Sequence, residues 1–390
     1  MLLLGLVTAL GVMGGQIARL FKFPSVTGYI ITGLFLGPSL LGLVTDPVLD
    51  DITPITDFAL GLIGFSLGSE LKWRFFRENW ENFSLLFLGE SLLTFLLVFL
   101  PTLLFSRNLA LAIMLGILAT ASAPASVLST LSEKNARGTF PRILTSMVAL
   151  DSLFCIIIFS VMTILLKVYY FGVGQNPVIW QYLGYELGLA LLVGFLMGST
   201  SIWILNNVDQ ERRRQVLLVA IILIAVGIPR QLNISYLLVT LIAGIMIVNL
   251  TPHYRKFFHS LHSIDTPVLV LFLTLAGARL ELAALPQVGL LGLIYIAARM
   301  LGKILGSQLG ASACRYLPGS CARIDPATRR YLGLALTPQA GVAVGLALLA
   351  EQELPLPDDV LVTVILGAII FFQIIGPFLL DIALRKTDSI

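Results

Sequence analysis

Long apolar runs recur along the chain, separated by short polar or charged connections. Each run is close to the roughly 20 residues that an α-helix needs to cross a bilayer. The runs fall at about 1–20, 24–44, 52–71, 82–105, 108–131, 141–166, 178–204, 213–229, 232–250, 265–282, 287–312, 329–350 and 360–384, and so predict an all-α polytopic membrane protein with 13 transmembrane helices. They are continuous rather than short and alternating, which argues against a membrane β-barrel. The connections reach only about a dozen residues, so 1–390 reads as one transmembrane domain. The opening "MLLLGLVTALGVMGG" lacks a basic leader region and runs straight into further apolar segments, so it is expected to be a first helix rather than a cleaved signal.

Composition supports the pattern: 57% of residues are hydrophobic, 12% are charged and the mean hydropathy is +0.94. The net charge of +3 is spread over many connections and speaks to membrane orientation, not to nucleic acid. Of the 25 Lys and Arg residues, 19 lie in the connections after helices 1, 3, 5, 7, 9 and 11 or in the C-terminal tail. Alternate connections hold only Arg107, Lys167 and Arg230, and two of them are acidic ("DPVLDD", 46–51; "EQELPLPDD", 351–359). Because Lys and Arg concentrate on the cytoplasmic side, the alternation predicts a cell (inner) membrane protein with its N-terminus outside and its C-terminus in the cytoplasm. It leaves Arg279, Arg299 and Lys303 within the membrane.

An internal repeat underlies the runs. "GYIITGLFLGP" (28–38) resembles "SYLLVTLIAGIMIVN" (235–249), "FSLGSEL" (65–71) resembles "LTLAGARLEL" (273–282), and "GILATASAPASV" (116–127) resembles "GLALTPQAGVAV" (333–344). These pairs set repeat 1 (about 1–166) against repeat 2 (about 213–384), with a linker helix at about 178–204. An odd spacer makes two six-helix halves cross in opposite directions, the architecture of secondary transporters, whose site lies at the repeat interface near the midplane.

Helices 5 and 12 are each interrupted, by "LATASAPAS" with Pro124 and by "LALTPQAG" with Pro338 and Gly341. Proline removes one helical hydrogen bond and obstructs another, so backbone groups are freed at both places. In lipid such groups must face protein or an aqueous cavity, and matched interruptions in two halves point to a binding site. Asp151, in "SMVALDSLFCIIIF" (146–159), is the other signal. An ionised Asp at mid-membrane costs roughly 2.5–3.5 kcal/mol on insertion scales, so it is retained for a function.

The stretch "RLFKFPSVTGYIITGLFLGPSLLGL" is similar to the first helical hairpin of the monovalent cation:proton antiporter superfamily, particularly its bacterial family 2. "LAGARLEL", "AARMLGKILGSQLGA" and "LALTPQAGVAVGLALL" resemble later motifs of that family, in matching order from about residue 10 to 380. The resemblance implies an antiporter fold in which discontinuous helices 5 and 12 cross at the midplane, usually as a homodimer, and in which a helix 6 carboxylate binds cation and proton competitively. Asp151 matches the acidic motif of helix 6. In one register it takes the first of two acidic positions and Ser152 the second, the transport position; in the other, Asp151 itself takes the transport position.

The chain is therefore expected to be a secondary transporter, not an enzyme, that exchanges a monovalent cation (Na⁺ or K⁺) for protons in the lipid bilayer, without a cofactor. Asp151 is expected to be the transported cation's ligand, and hydroxyls and freed carbonyls around Thr120, Ser122, Ser126, Ser152 and Thr337 are expected to complete an oxygen shell. Lys303 and Arg299, one turn apart in helix 11, and Glu90, in mid-helix 4, are the charge-compensating residues, with Glu90 expected to pair with Arg299. Glu70 and Arg279 neutralise locally near helix ends, and Glu186 lies at the membrane interface. Cys155, Cys314 and Cys321 are structural, and His253, His259 and His262 belong to a solvated basic loop. The alternatives are a degenerate exchanger-fold channel or sensory protein without antiport, and an organic-anion symporter on a related fold.

Overall fold

The computed structural model describes the chain except for residues 1, 22, 46–47, 50–51, 69–72, 172–177, 209, 233, 253, 281–284, 314–324, 340, 358–359 and 390. The described residues contain fifteen α-helices of ten residues or more. They are α1 (Leu2–Leu20), α2 (Ser25–Leu36), α3 (Thr53–Gly68), α4 (Trp73–Ser106), α5 (Leu109–Thr120), α6 (Pro124–Glu133), α7 (Thr139–Phe171) and α8 (Val178–Asn207), followed by α9 (Glu211–Gln231), α10 (Tyr236–Leu250), α11 (Tyr254–Ala278), α12 (Leu285–Ala313), α13 (Pro326–Ala335), α14 (Gly341–Glu353) and α15 (Val360–Lys386). Seven of the helices are long and apolar enough to cross a membrane by themselves.

Helix ends depart from the apolar runs for local reasons. Helix α4 begins at Trp73, well before the run at 82, because "RENWEN" is compatible with helix although it is not apolar; hydropathy marks the membrane, not the end of the hydrogen-bonding pattern. Helix α2 stops at Leu36, where Gly37 takes an extended backbone (φ −70°, ψ 175°), so the run to 44 is only partly helical. The runs at 108–131 and 329–350 each split in two. Asn108 caps α5 by accepting from Leu111 N at 3.0 Å, and Pro124 occupies the first turn of α6, where its missing N–H breaks nothing. Asp325 caps α13 in the same way, followed by Pro326.

The chain forms two compact units. One takes in 1–46, 78–155 and 273–390, and its core includes α5, α14 and α15, which are apolar nearly all round. Within it α4 and α12 cross closely along Gly302, Gly306 and Gly310, spaced one turn apart. A Cβ added to Gly306 would stand 2.8 Å from both Cα and O of Glu90. Gly306→Ala is therefore expected to force the two backbones apart and to lower stability by about 1–3 kcal/mol. Gly292→Ala, on the same helix with open space around it, should be neutral or stabilising by up to about 1 kcal/mol. Melting of the two variants in detergent checks the contrast.

The other unit takes in 47–77 and 156–272. There α10 is central, packed against α3 and α8, and Ala190, Val193, Ala225, Ile234, Leu238 and Val239 form one apolar cluster. Asp57 on α3 is buried and accepts hydrogen bonds from Arg230 and, at 3.1 Å, from Tyr236 Oη. Glu186 is buried in this unit.

Candidate ion-binding site

The two interruptions, 121–123 and 336–340, lie in the first unit and meet: Ala123 N donates to Pro338 O at 3.0 Å. Helices α5 and α13 end there, so their last carbonyls lack helical partners. Arg299 on α12 fills that need. Its Nε donates to Ala119 O (3.0 Å), Nη2 to Ala121 O (2.8 Å) and Nη1 to Thr337 O (2.7 Å). The Phe372 ring centroid lies 4.4 Å from its Cζ. One fully buried guanidinium thus ties both half-helix C-termini together and offsets their partial negative charge.

One turn along α12, Lys303 Nζ faces four acceptors: Thr120 O at 2.6 Å, Ser122 Oγ at 3.1 Å, Asp151 Oδ2 at 2.8 Å and Glu90 Oε1 at 2.7 Å. An ammonium has three N–H groups, so the four compete. Ser122 Oγ is also 2.5 Å from Asp151 Oδ2 and 3.1 Å from Leu336 O, which links the first interruption to the carboxylate and to the second. Glu90, Asp151 and Lys303 are each 0% exposed. Asp151 Oδ1 is buried and has no hydrogen-bond partner among the described residues. A buried carboxylate with one oxygen held and the other open, beside freed carbonyls and hydroxyls, can take a proton or a hard monovalent cation.

The geometry corrects the expected pairing of Glu90 with Arg299. Glu90 pairs with Lys303, while the N–H groups of Arg299 go to carbonyls. The residues expected to form the oxygen shell present different groups. Thr120 and Thr337 turn their hydroxyls back to Ile117 O and Leu334 O, both at 2.7 Å, and it is their carbonyls that receive Lys303 and Arg299. Ser152 Oγ donates to Ser122 O (3.0 Å) and lies 3.1 Å from Val148 O, next to the carboxylate but not bonded to it. Ser126 Oγ reaches Gln373 Oε1 at 3.1 Å, away from Asp151.

Sequence reasoning missed an amide network beneath the crossing. Gln339 Nε2 donates to Leu118 O (2.9 Å) and lies 2.9 Å from Tyr295 Oη, while Gln373 Nε2 donates to Gln339 O (2.9 Å). The available signal was two uncharged amides inside apolar runs, one of them beside Pro338. Arg279 follows the end of α11, and Cys155 is buried and free. Glu70, His253, Cys314 and Cys321 lie outside the described residues, as do the side chains of His259 and His262.

Two solved structures of the sodium proton antiporter MjNhaP1 from Methanocaldococcus jannaschii share this fold at 18% identity. One, at pH 8, covers 98% of this chain and 97% of that one with a TM-score of 0.74; the other, an electron-microscopy map, covers 98% and 94% with a TM-score of 0.64. The iron transporter MagA of Paramagnetospirillum magneticum (strain ATCC 700264 / AMB-1) is 38% identical over 69 residues, 18% of this chain and 15% of that protein, so the match spans only a small part of that relative's length. The family described as "Sodium/hydrogen exchanger, transmembrane" matches residues 5–386, nearly the whole sequence, and this chain belongs to it.

Proposed function

We propose that the chain exchanges a monovalent cation, Na⁺ or K⁺, for protons across the cell membrane, with Asp151 carrying either ion in turn. The observation that carries this reading is the open Oδ1 of a fully buried Asp151, set where two interrupted helices meet. Family membership and the antiporter fold of the MjNhaP1 structures support it. In this reading Asp151 is the transport carboxylate, Ser122 and the freed carbonyls are cation ligands, and Ser152 steadies the interruption through Ser122 O.

The fifteen helices reduce to thirteen spans when α5 with α6 and α13 with α14 are each counted as one interrupted helix, and that count is part of the proposal. So are the inverted repeat, a homodimeric assembly, and an outside N-terminus with a cytoplasmic C-terminus, which rest on the repeated motifs, the family resemblance and the alternation of basic connections. The test is proton movement in everted vesicles on addition of Na⁺, K⁺ or Li⁺ across a range of pH. A response to one or more of these ions above the empty-vector background supports exchange; none at any pH refutes it.

A further inference from the structure

We infer that Glu90 is where Lys303 is held while a cation occupies Asp151, which makes this α4 carboxylate a positioning residue for cation binding. The inference rests on the exchange reading above. The Lys303 ammonium sits between two acids, with Asp151 Oδ2 at 2.8 Å and Glu90 Oε1 at 2.7 Å. Releasing Asp151 therefore needs only a small change at the end of the lysine side chain. Glu90 is itself held in place by two hydroxyls, with Thr94 Oγ1 donating to its Oε1 at 3.2 Å and Ser91 Oγ to its Oε2 at 3.1 Å. The glycine seam of α12 sets the distance, since only a helix without side chains at Gly302 and Gly306 could bring its backbone so close to Thr94 and Glu90.

Charge explains why the second acid is needed. Arg299 is committed to the three carbonyls of the interrupted helices, so the remaining buried charges are two carboxylates against one ammonium, a net of one negative charge. One monovalent cation, or one proton, at Asp151 brings that net to zero while Lys303 stays charged and paired with Glu90. Both loaded forms are then neutral, the condition for moving a buried site across a membrane without an unpaired charge. Without Glu90, Asp151 and Lys303 already neutralise each other. An entering cation would then displace a buried ammonium that has no other acid to meet.

The experiment compares wild type, Glu90→Gln and Glu90→Asp in proteoliposomes, driving exchange with whichever of sodium or potassium the wild type uses. Glu90→Gln keeps the Lys303–Asp151 pair, so it strands no charge in the folded protein. It is expected to raise the cation KM on the order of tenfold or more while kcat changes much less. Glu90→Asp, which keeps the charge, should return KM to within about threefold of wild type. If Glu90→Gln fails to reach the membrane, Glu90→Asp still tests the inference, because a variant that keeps the charge is expected to keep the KM near wild type. A wild-type KM in Glu90→Gln, or a KM in Glu90→Asp raised tenfold or more, overturns the inference. Absence of cation-dependent flux in wild type overturns the exchange reading and this inference with it; normal wild-type flux with an unchanged Glu90→Gln overturns this inference alone.

Discussion

Asp151→Asn is expected to abolish cation-dependent proton movement while leaving a folded protein. The amide is nearly the shape of the carboxylate and still offers an oxygen to Lys303 or Ser122. It cannot release a proton at working pH, and it supplies no charge to balance a bound cation. The fold should tolerate the change because Lys303 keeps Glu90 as a fully buried partner, so no charge is stranded. Exchange in proteoliposomes, read with a pH-sensitive dye, should fall to the protein-free background, with a melting temperature in detergent close to wild type. Undiminished exchange would remove Asp151 from the mechanism.

The second large effect is on stability. Lys303→Met leaves Glu90 and Asp151 buried against an apolar side chain where their shared ammonium stood. Removing one partner of a buried ion pair typically costs about 3–5 kcal/mol, far more than replacing both. Lys303→Met should therefore melt well below wild type, and adding Glu90→Gln should recover part of the loss. The analogous cycle with Arg299→Gln and Glu90→Gln should be close to additive, since Arg299 bonds carbonyls rather than Glu90. Strict additivity in the Lys303 cycle, or strong coupling in the Arg299 cycle, would contradict the observed partners.

Much of the site is legible in the sequence because the membrane makes its exceptions conspicuous. A carboxylate, a guanidinium or a proline in an apolar run stands out, and Asp151, Glu90, Arg299, Lys303, Pro124 and Pro338 are all visible on that ground. Partner choice is not legible. Arg299 and Lys303 are one turn apart on α12, so the register of the α4–α12 crossing alone decides which of them meets Glu90. That register is set by the glycines at 302, 306 and 310, whose role is visible only once the two helices are paired. Gln339 and Gln373 escape a sequence reading because an uncharged amide hardly disturbs a hydropathy pattern. Asp57 is masked by its place near the start of a run, where an exposed acid is ordinary; its burial with Arg230 and Tyr236 depends on α3, α9 and α10 coming together. The helix breaks follow from the prolines, but the turning back of the Thr120 and Thr337 hydroxyls does not, because a threonine at a helix end can bond its own preceding carbonyls as readily as a ligand.

The central claim is that cation and proton compete for one carboxylate. Its most direct test needs no membrane gradient. Purified protein in weakly buffered detergent is mixed with the transported cation near the pH of half-maximal exchange, and proton release is followed with an indicator dye. A ligand that must lose its proton to bind a metal ion couples the two events. Wild type should release protons in proportion to the cation bound, saturating over the same concentration range as exchange, and Asp151→Asn should release none. Saturable cation binding by wild type without proton release, or equal release from Asp151→Asn, would contradict the claim.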